Sequence, residues 1–407
     1  MDARFRRIYN ATYQEARYLA YVRRLQALIG ARVDFRLAET PVFFEPDLVA
    51  RCERAAREIV AQLAEPARLA RMRDAVPAHL QGANAGALPQ FAVVDFAIAR
   101  GPDGALEPRV VELQGFPSLY AFEVFQRDAW LDELADPLCE RSWSSFYSGL
   151  DREAYLGLLR RTIAGNRAPE SVVLVDVEPD AQKTACDFVA TRVLFGIDAL
   201  DPRALVRRGK KLYRRNAASR EIPVERIYNR IVGDDLLRLE DALPFDLRDE
   251  LEVDWAPHPA WFWTWSKASL PHLAHAAVPR THLLSELDAL PANLDDYVLK
   301  PLFSFAGGGV DVHPTPAACA AIPTEDRANW CLQEKIVYAP ALEMPDGTGV
   351  KIELRVMFLR PDDTAALVPA TNLCRLSRGE MHGVDYNKNL TWVGSSIGLW
   401  GAQPLTA

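Results

Sequence analysis

Residues 171–178 read SVVLVDVE, with Val172 to Val175 forming an unbroken apolar run. A strand of that kind is built to be buried on both faces, which a parallel sheet covered by helices provides. The stretch that follows, DAQKTACDFVATRVLFG, reads as a helix ended by Gly196. Together they predict an α/β unit starting near residue 166. Within it, RALVRRGKKLYRR reads as two short strands around Arg208-Gly209-Lys210, and VERIYNRIVG as a further strand. The basic cluster reads as the solvated tip of a hairpin, with RNA contact as the alternative.

On either side of this unit the pattern changes. Residues 1–85 read as a helical segment. In FEPDLVARCERAAREIVAQLAEP the apolar positions Leu48, Cys52, Ala55, Ile59 and Leu63 recur at helical spacing, and Pro46 and Asp47 suit the helix start. Residues 82–89, GANAGALP, read as a loop. Residues 86–165 form a β-rich part. FAVVDFAIA and PRVVELQ flank GPDG, a strong turn signal, and predict a hairpin, after which residues 119–135 return to a helical pattern. The α/β unit occupies 166–258. From 259 to 407 the chain reads WFWTWSKASLPHLAHA, the start of a helix or a loop leading into one. Strand-like YVLKPLFS, WCLQEKIVY, VKIELRVMFL and AALVPATNLCRL follow.

With 49% hydrophobic and 25% charged residues, the chain has an ordinary globular composition, and its 407 residues suit two or three domains. No apolar run is long enough to span a membrane, and MDARFRRIYN has no apolar core of a signal peptide. The six cysteines include no CxxC pair and read as reduced thiols, so a cytoplasmic location is expected. A net charge of -8 argues against a general nucleic-acid or membrane binder. His272 and His275 could share a helix face, but no carboxylate or cysteine stands near enough in sequence to predict a zinc site. Ser-His-Asp and GxSxG patterns are missing.

The densest chemistry lies in YVLKPLFSFAGGGV, residues 297–310. Lys300 ends a strand and supplies a point charge. Ser304 and the glycines Gly307, Gly308 and Gly309 let backbone N–H groups approach an anion closely. Neither a Walker A loop, a GxGxxG turn nor a kinase signature occurs. Downstream, Gln333-Glu334-Lys335-Ile336 ends a strand and reads as a hinge that could hold an adenine edge and a ribose. Glu353 and Arg355 then share one strand face. They could help hold a cation and stabilise phosphate oxygens, or form only a structural ion pair.

This order of segments resembles the ATP-grasp superfamily, and within it the circularly permuted glutathionylspermidine synthase-like group. YVLKPLFSFAGGGV resembles the phosphate-covering loop with its nucleotide lysine, and LQEKI the adenine hinge. WSKASLPHL resembles a segment whose lysine, here Lys267, reaches the nucleotide. VVELQGFPSLYAFE resembles the metal-binding segment, here Glu112, Gln114, Pro117, Ser118, Leu119 and Glu123, and Asp95 sits where the group has a metal-binding aspartate. The resemblance covers most of residues 90–400. It implies an α/β ATP-grasp fold with a Rossmann-like pre-ATP-grasp unit, an ATP site, and Mg²⁺ held by Asp95, Glu112 and Gln114, to which the strand reading adds Glu353. Arg355 and, in the polar C-terminal stretch GEMHGVDYNKNLTWVGSS, Lys388 are the expected catalytic contacts.

The activity implied is ADP-forming ligation of a carboxylate to an amine through an acyl-phosphate, on small-molecule or peptide substrates. A phosphotransferase and a catalytically decayed nucleotide-binding module are the alternatives. Gln114 stands where the group has asparagine, the Asp of its N-x-D is absent, and the Gly-rich loop and the strand before Asp95 lack its arginines. These departures bear on the substrates more than on the nucleotide.

Overall fold

The computed structural model describes residues 1–82, 85–239, 242–246, 248–303, 308–379, 387 and 389–404. Its centre is an antiparallel sheet in the order Gly394–Ser396, Val368–Ser377, Gly349–Leu359, Phe91–Arg100, Leu106–Gln114, with Leu342–Glu343 pairing the start of the long Gly349–Leu359 strand. The predicted hairpin is there, turning at Gly104 with φ +81°.

The apolar run that opened the sequence reading forms Val172–Val175. It is the interior of a four-stranded sheet, ordered Asp254–Ala256, Arg226–Asn229, Val172–Val175, Ala199–Leu200, with every pairing parallel. Val172 to Val175 are all fully buried, as a strand covered on both faces requires. The helix Ala185–Phe195 follows and ends at Gly196 in the left-handed region. Buried Asp187 on this helix accepts from the backbone N–H groups of Ala121 and Phe122 at 3.0 and 2.8 Å, and pairs with Arg230. That contact fixes the start of the helix Phe122–Glu133 against the parallel sheet.

The basic segment forms two strands, Val206–Arg208 and Lys211–Arg215, in a small sheet completed by Glu221–Val224. Its charges are met within the chain: Arg207 by Asp249 at 2.6 Å, Arg208 by Glu221 at 2.9 Å and Lys210 by Glu250 at 3.0 Å. A third unit is the antiparallel sheet Thr281–Leu283, Trp330–Glu334, Tyr297–Pro301, packed over its own cluster of Leu284, Leu299, Cys319 and Leu332.

The N-terminal helices pack onto this body. Helix Pro46–Leu63 buries its stripe of Leu48, Cys52, Ala55, Ile59 and Leu63 against the central sheet. The strand Val42–Phe43 pairs in parallel with Gly398–Leu399. One reading needs correction: WFWTWSKASLPHLAHA does not lead into a longer helix. One turn, Trp261–Thr264, is followed by a 3₁₀ segment, Lys267–His272, that contains Pro271 and stops. His275 therefore leaves His272 and pairs with Glu58 at 2.9 Å. No described helix is long and apolar enough to cross a membrane.

Gly115 joins the hairpin to this tryptophan segment. Its N–H donates to the Trp265 carbonyl at 2.7 Å, and a Cβ there would sit 2.6 Å from the Trp261 carbonyl oxygen. Gly115→Ala is expected to cost about 1–3 kcal/mol through this backbone clash. A urea unfolding midpoint that hardly moves would contradict that packing.

Candidate functional site

Register gathers the predicted residues on one face of the central sheet. Asp95 lies opposite Arg355 on one neighbouring strand and opposite Glu112 on the other. A bulge beside Asp95 leaves Val111 without a partner and re-aims the end of the edge strand. Glu353 lies opposite Arg375. Alternation along the strands puts Asp95, Glu353, Arg355 and Arg375 on a common face.

Asp95 is wholly buried and heavily bonded. Arg355 donates to it from Nε at 2.7 Å and Nη2 at 2.8 Å, a two-pronged contact. Arg375 Nη2 reaches Asp95 Oδ2 at 3.1 Å, and the Gln114 amide nitrogen reaches the same oxygen at 3.3 Å. Arg375 also pairs with Glu353, whose other oxygen accepts from the Tyr338 hydroxyl at 3.1 Å. Burial works against both guanidinium charges, and the carboxylates outweigh it: Asp95 for Arg355, Glu353 then Asp95 for Arg375. Both groups are held above the ordinary arginine value.

Glu112 has its acidity weakened by burial first and by Asp95 second. Lys267, 5% exposed, is a counter-charge to Glu112 from outside the sheet. Ser266 caps its 3₁₀ segment, and burial pulls the ammonium below the usual lysine value while Glu112 opposes the shift. Lys300 is shifted down by burial in the same way and feels Glu112, Lys267 and Glu353. The three-stranded sheet thus presents its lysine to the central sheet.

The hinge residues are engaged with their own chain. Gln333 Oε1 accepts from the Lys300 ammonium, and the buried Gln333 Nε2 has no partner among the described residues. Glu334 is clamped by Arg280, whose backbone N–H donates to it at 3.2 Å and whose Nε donates at 2.6 Å; that side-chain bond keeps the carboxylate below its usual range. The Lys335 N–H donates to the Asp296 carbonyl at 2.8 Å, and Lys335 and Ile336 are half-buried.

Of the glycine-rich loop, Gly308 and Gly309 are described. Gly309 has φ +72° and folds against Pro301, and Asp311 then pairs back onto Leu299 through two 2.9 Å bonds. Ser304, Gly307 and Lys388 lie outside the described residues. Asn387 organises a turn, its Oδ1 accepting from Ser377 Oγ and the N–H groups of Arg378 and Gly379 at 3.0–3.1 Å.

Beside Glu112 and Lys267 is a narrow cleft, walled also by Gln114, Trp263, Trp265 and Phe303, with about 40 Å³ of free space. Arg375, Tyr338 and Arg280 were missed by the sequence reading. Arg375 sits in NLCRL with no spacing signal of its own; only the strand register puts it opposite Glu353.

The structure of a glutathione synthetase-like effector from Globodera pallida, solved in apo form, is similar to this chain. The TM-score is 0.56 at 11% identity, covering 95% of this chain and 96% of that one. The chain shares that protein's fold. No family model matches it, and no curated protein matches its sequence.

The side chains expected to hold a cation are engaged with one another and with arginines. Asp95 has both oxygens taken by arginine, and Glu353 is held by Arg375 and Tyr338. Among the described residues no three acidic, histidine or cysteine side chains converge as a metal site. The set Asp95, Glu112, Gln114 and Glu353 does not fit a divalent ion.

Removing one partner of a buried ion pair strands the other. Asp95→Ala should cost about 3–5 kcal/mol, and Asp95→Ala combined with Arg355→Met should cost far less than the sum of the two single changes. A double-mutant cycle in urea checks this, and additive losses would contradict the coupling.

Proposed function

We propose that the chain is an ATP-dependent ligase that joins a carboxylate to an amine and releases ADP and phosphate. One observation carries the reading. Arg355 and Arg375 share one face of the central sheet with Asp95, Glu112 and Glu353, and Lys267 and Lys300, from two further segments, both feel the charge of Glu112. The shared fold with a glutathione synthetase-like protein supports it.

In this reading the adenine lies along Gln333–Ile336 and the triphosphate runs past Lys300 and Lys267 toward Arg375. The substrate carboxylate attacks the γ-phosphorus, the bond to the β-phosphate oxygen breaks, and ADP leaves with an acyl-phosphate remaining. Charge gathers on the transferring oxygens, and fixed cations in a dry site answer that need. The amine then attacks the acyl carbon, phosphate departs, and the amine gives up its proton. Trp263, Trp265 and Phe303 exclude the water that would hydrolyse the acyl-phosphate.

The free space of about 40 Å³ is close to one water's share of liquid volume, roughly 30 Å³. Entry of a nucleotide therefore requires the three-stranded sheet, with Lys300 and Gln333 on it, to swing away from the central one. Motions of this kind gate many enzymes of similar design.

ADP release measured across a panel of acids and amines should require one of each, and Arg375→Met should lower the rate about 10²–10³-fold. ATP binding without turnover across the panel, or a stable phosphorylated product, would contradict ligation.

A further inference from the structure

The two faces of the three-stranded sheet differ in kind. Leu299 and Leu332, opposed in the register, close the sheet's own core with Leu284 and Cys319. Side chains alternate along a strand, and directly opposed residues share a face. The register opposes Lys300 to Cys331 and Val298 to Gln333, so Lys300, Cys331 and Gln333 lie together on the other face. That face looks at the central sheet, since Lys300 feels the charges of Glu112 and Glu353.

On it Gln333 is 2% exposed and only half satisfied. Its Oε1 accepts from the Lys300 ammonium, which can donate but not accept. The contact therefore sets which way the amide is turned, and the NH₂ group points away from the lysine. Nε2 is buried and has no partner among the described residues. Buried donors are paired as a rule, and an unpaired one is costly. The hinge backbone beside it is already engaged. The Glu334 N–H donates to the Arg280 carbonyl at 2.9 Å and the Lys335 N–H to the Asp296 carbonyl at 2.8 Å. A base lying there meets the side-chain donor of Gln333 instead. Adenine and guanine both carry an acceptor nitrogen at N7. It lies on the C8 side of the ring, toward which the 5′-phosphates of an anti nucleotide run. A donor locked beside the phosphate lysine faces that side of the base.

We infer that Gln333 reads the purine ring directly, its Nε2 donating to N7 while Lys300 holds the amide in place. The inference rests on the nucleotide reading above and narrows the ligand to a purine nucleoside triphosphate, because a pyrimidine has no such nitrogen. Lys300 then has a task besides the phosphates, that of setting the amide. Both residues belong to one sheet, so the lock is kept when that sheet swings.

Isothermal titration of the full chain with ATP and with 7-deaza-ATP tests it, since the analogue has a C–H in place of N7. The analogue should bind about tenfold more weakly, because it leaves a buried donor without its acceptor. Affinities that agree within about threefold overturn the inference and leave the nucleotide reading standing. No heat with ATP overturns both. Gln333→Glu gives a second readout, as it keeps an oxygen for Lys300 and puts an acceptor where the donor was. ATP should bind this variant about tenfold more weakly, and its advantage over the analogue should vanish. A variant that is folded by circular dichroism and keeps both the affinity and the preference overturns the role given to Gln333.

Discussion

The buried pair of Asp95 and Arg355 organises this molecule. A carboxylate with no exposure at the centre of a sheet is costly unless its partner is equally fixed, and here two parallel N–H bonds fix it. The pair pins the Phe91–Arg100 strand to Gly349–Leu359, and a slip of one residue would turn both charges into the apolar side. Everything charged in the cleft is placed relative to it. Arg375 bridges Asp95 to Glu353, Gln114 leans on Asp95, and Glu112 sits across the hairpin from it.

Around that sheet the chain closes on itself. The strand Val42–Phe43 lies beside Gly398–Leu399, and the Trp392 N–H donates to buried Glu39 at 2.6 Å. Segments near the two ends of the chain thereby form one body with the sheet that bears the site. Arg6 reinforces this, buried among the rings of Tyr9, Phe43 and Trp392 and bonded to Thr40 Oγ1 at 2.7 Å. The three-stranded sheet with Lys300 keeps a separate small core, which suits a part that moves as a unit.

Where local chemistry dictates structure, the sequence was legible. GPDG turned the hairpin, Pro46 began a helix whose apolar stripe is buried as spaced, and the run at Val172 became an interior parallel strand. Pairings between distant segments left no such mark. Arg375 reads like any strand arginine until Glu353 faces it, and nothing in VFFEP announces a partner more than 350 residues on. Tryptophans at 261, 263 and 265 imitate a helix, yet Pro271 and the docking of Gly115 hold that segment as a short turn. For the site, the sequence brought out Asp95, Glu112, Lys267, Lys300 and Arg355 as a group. Arg375, which bridges two of the carboxylates near them, carried no such signal.

A structure of the chain with a non-hydrolysable ATP analogue tests the central claim most directly. The account predicts the phosphates within hydrogen-bonding distance of Arg375 and Lys300, the adenine along Gln333–Ile336, and the Asp95–Arg355 pair intact. A nucleotide bound elsewhere, or an Asp95 that has left Arg355 to coordinate a metal ion, would contradict it.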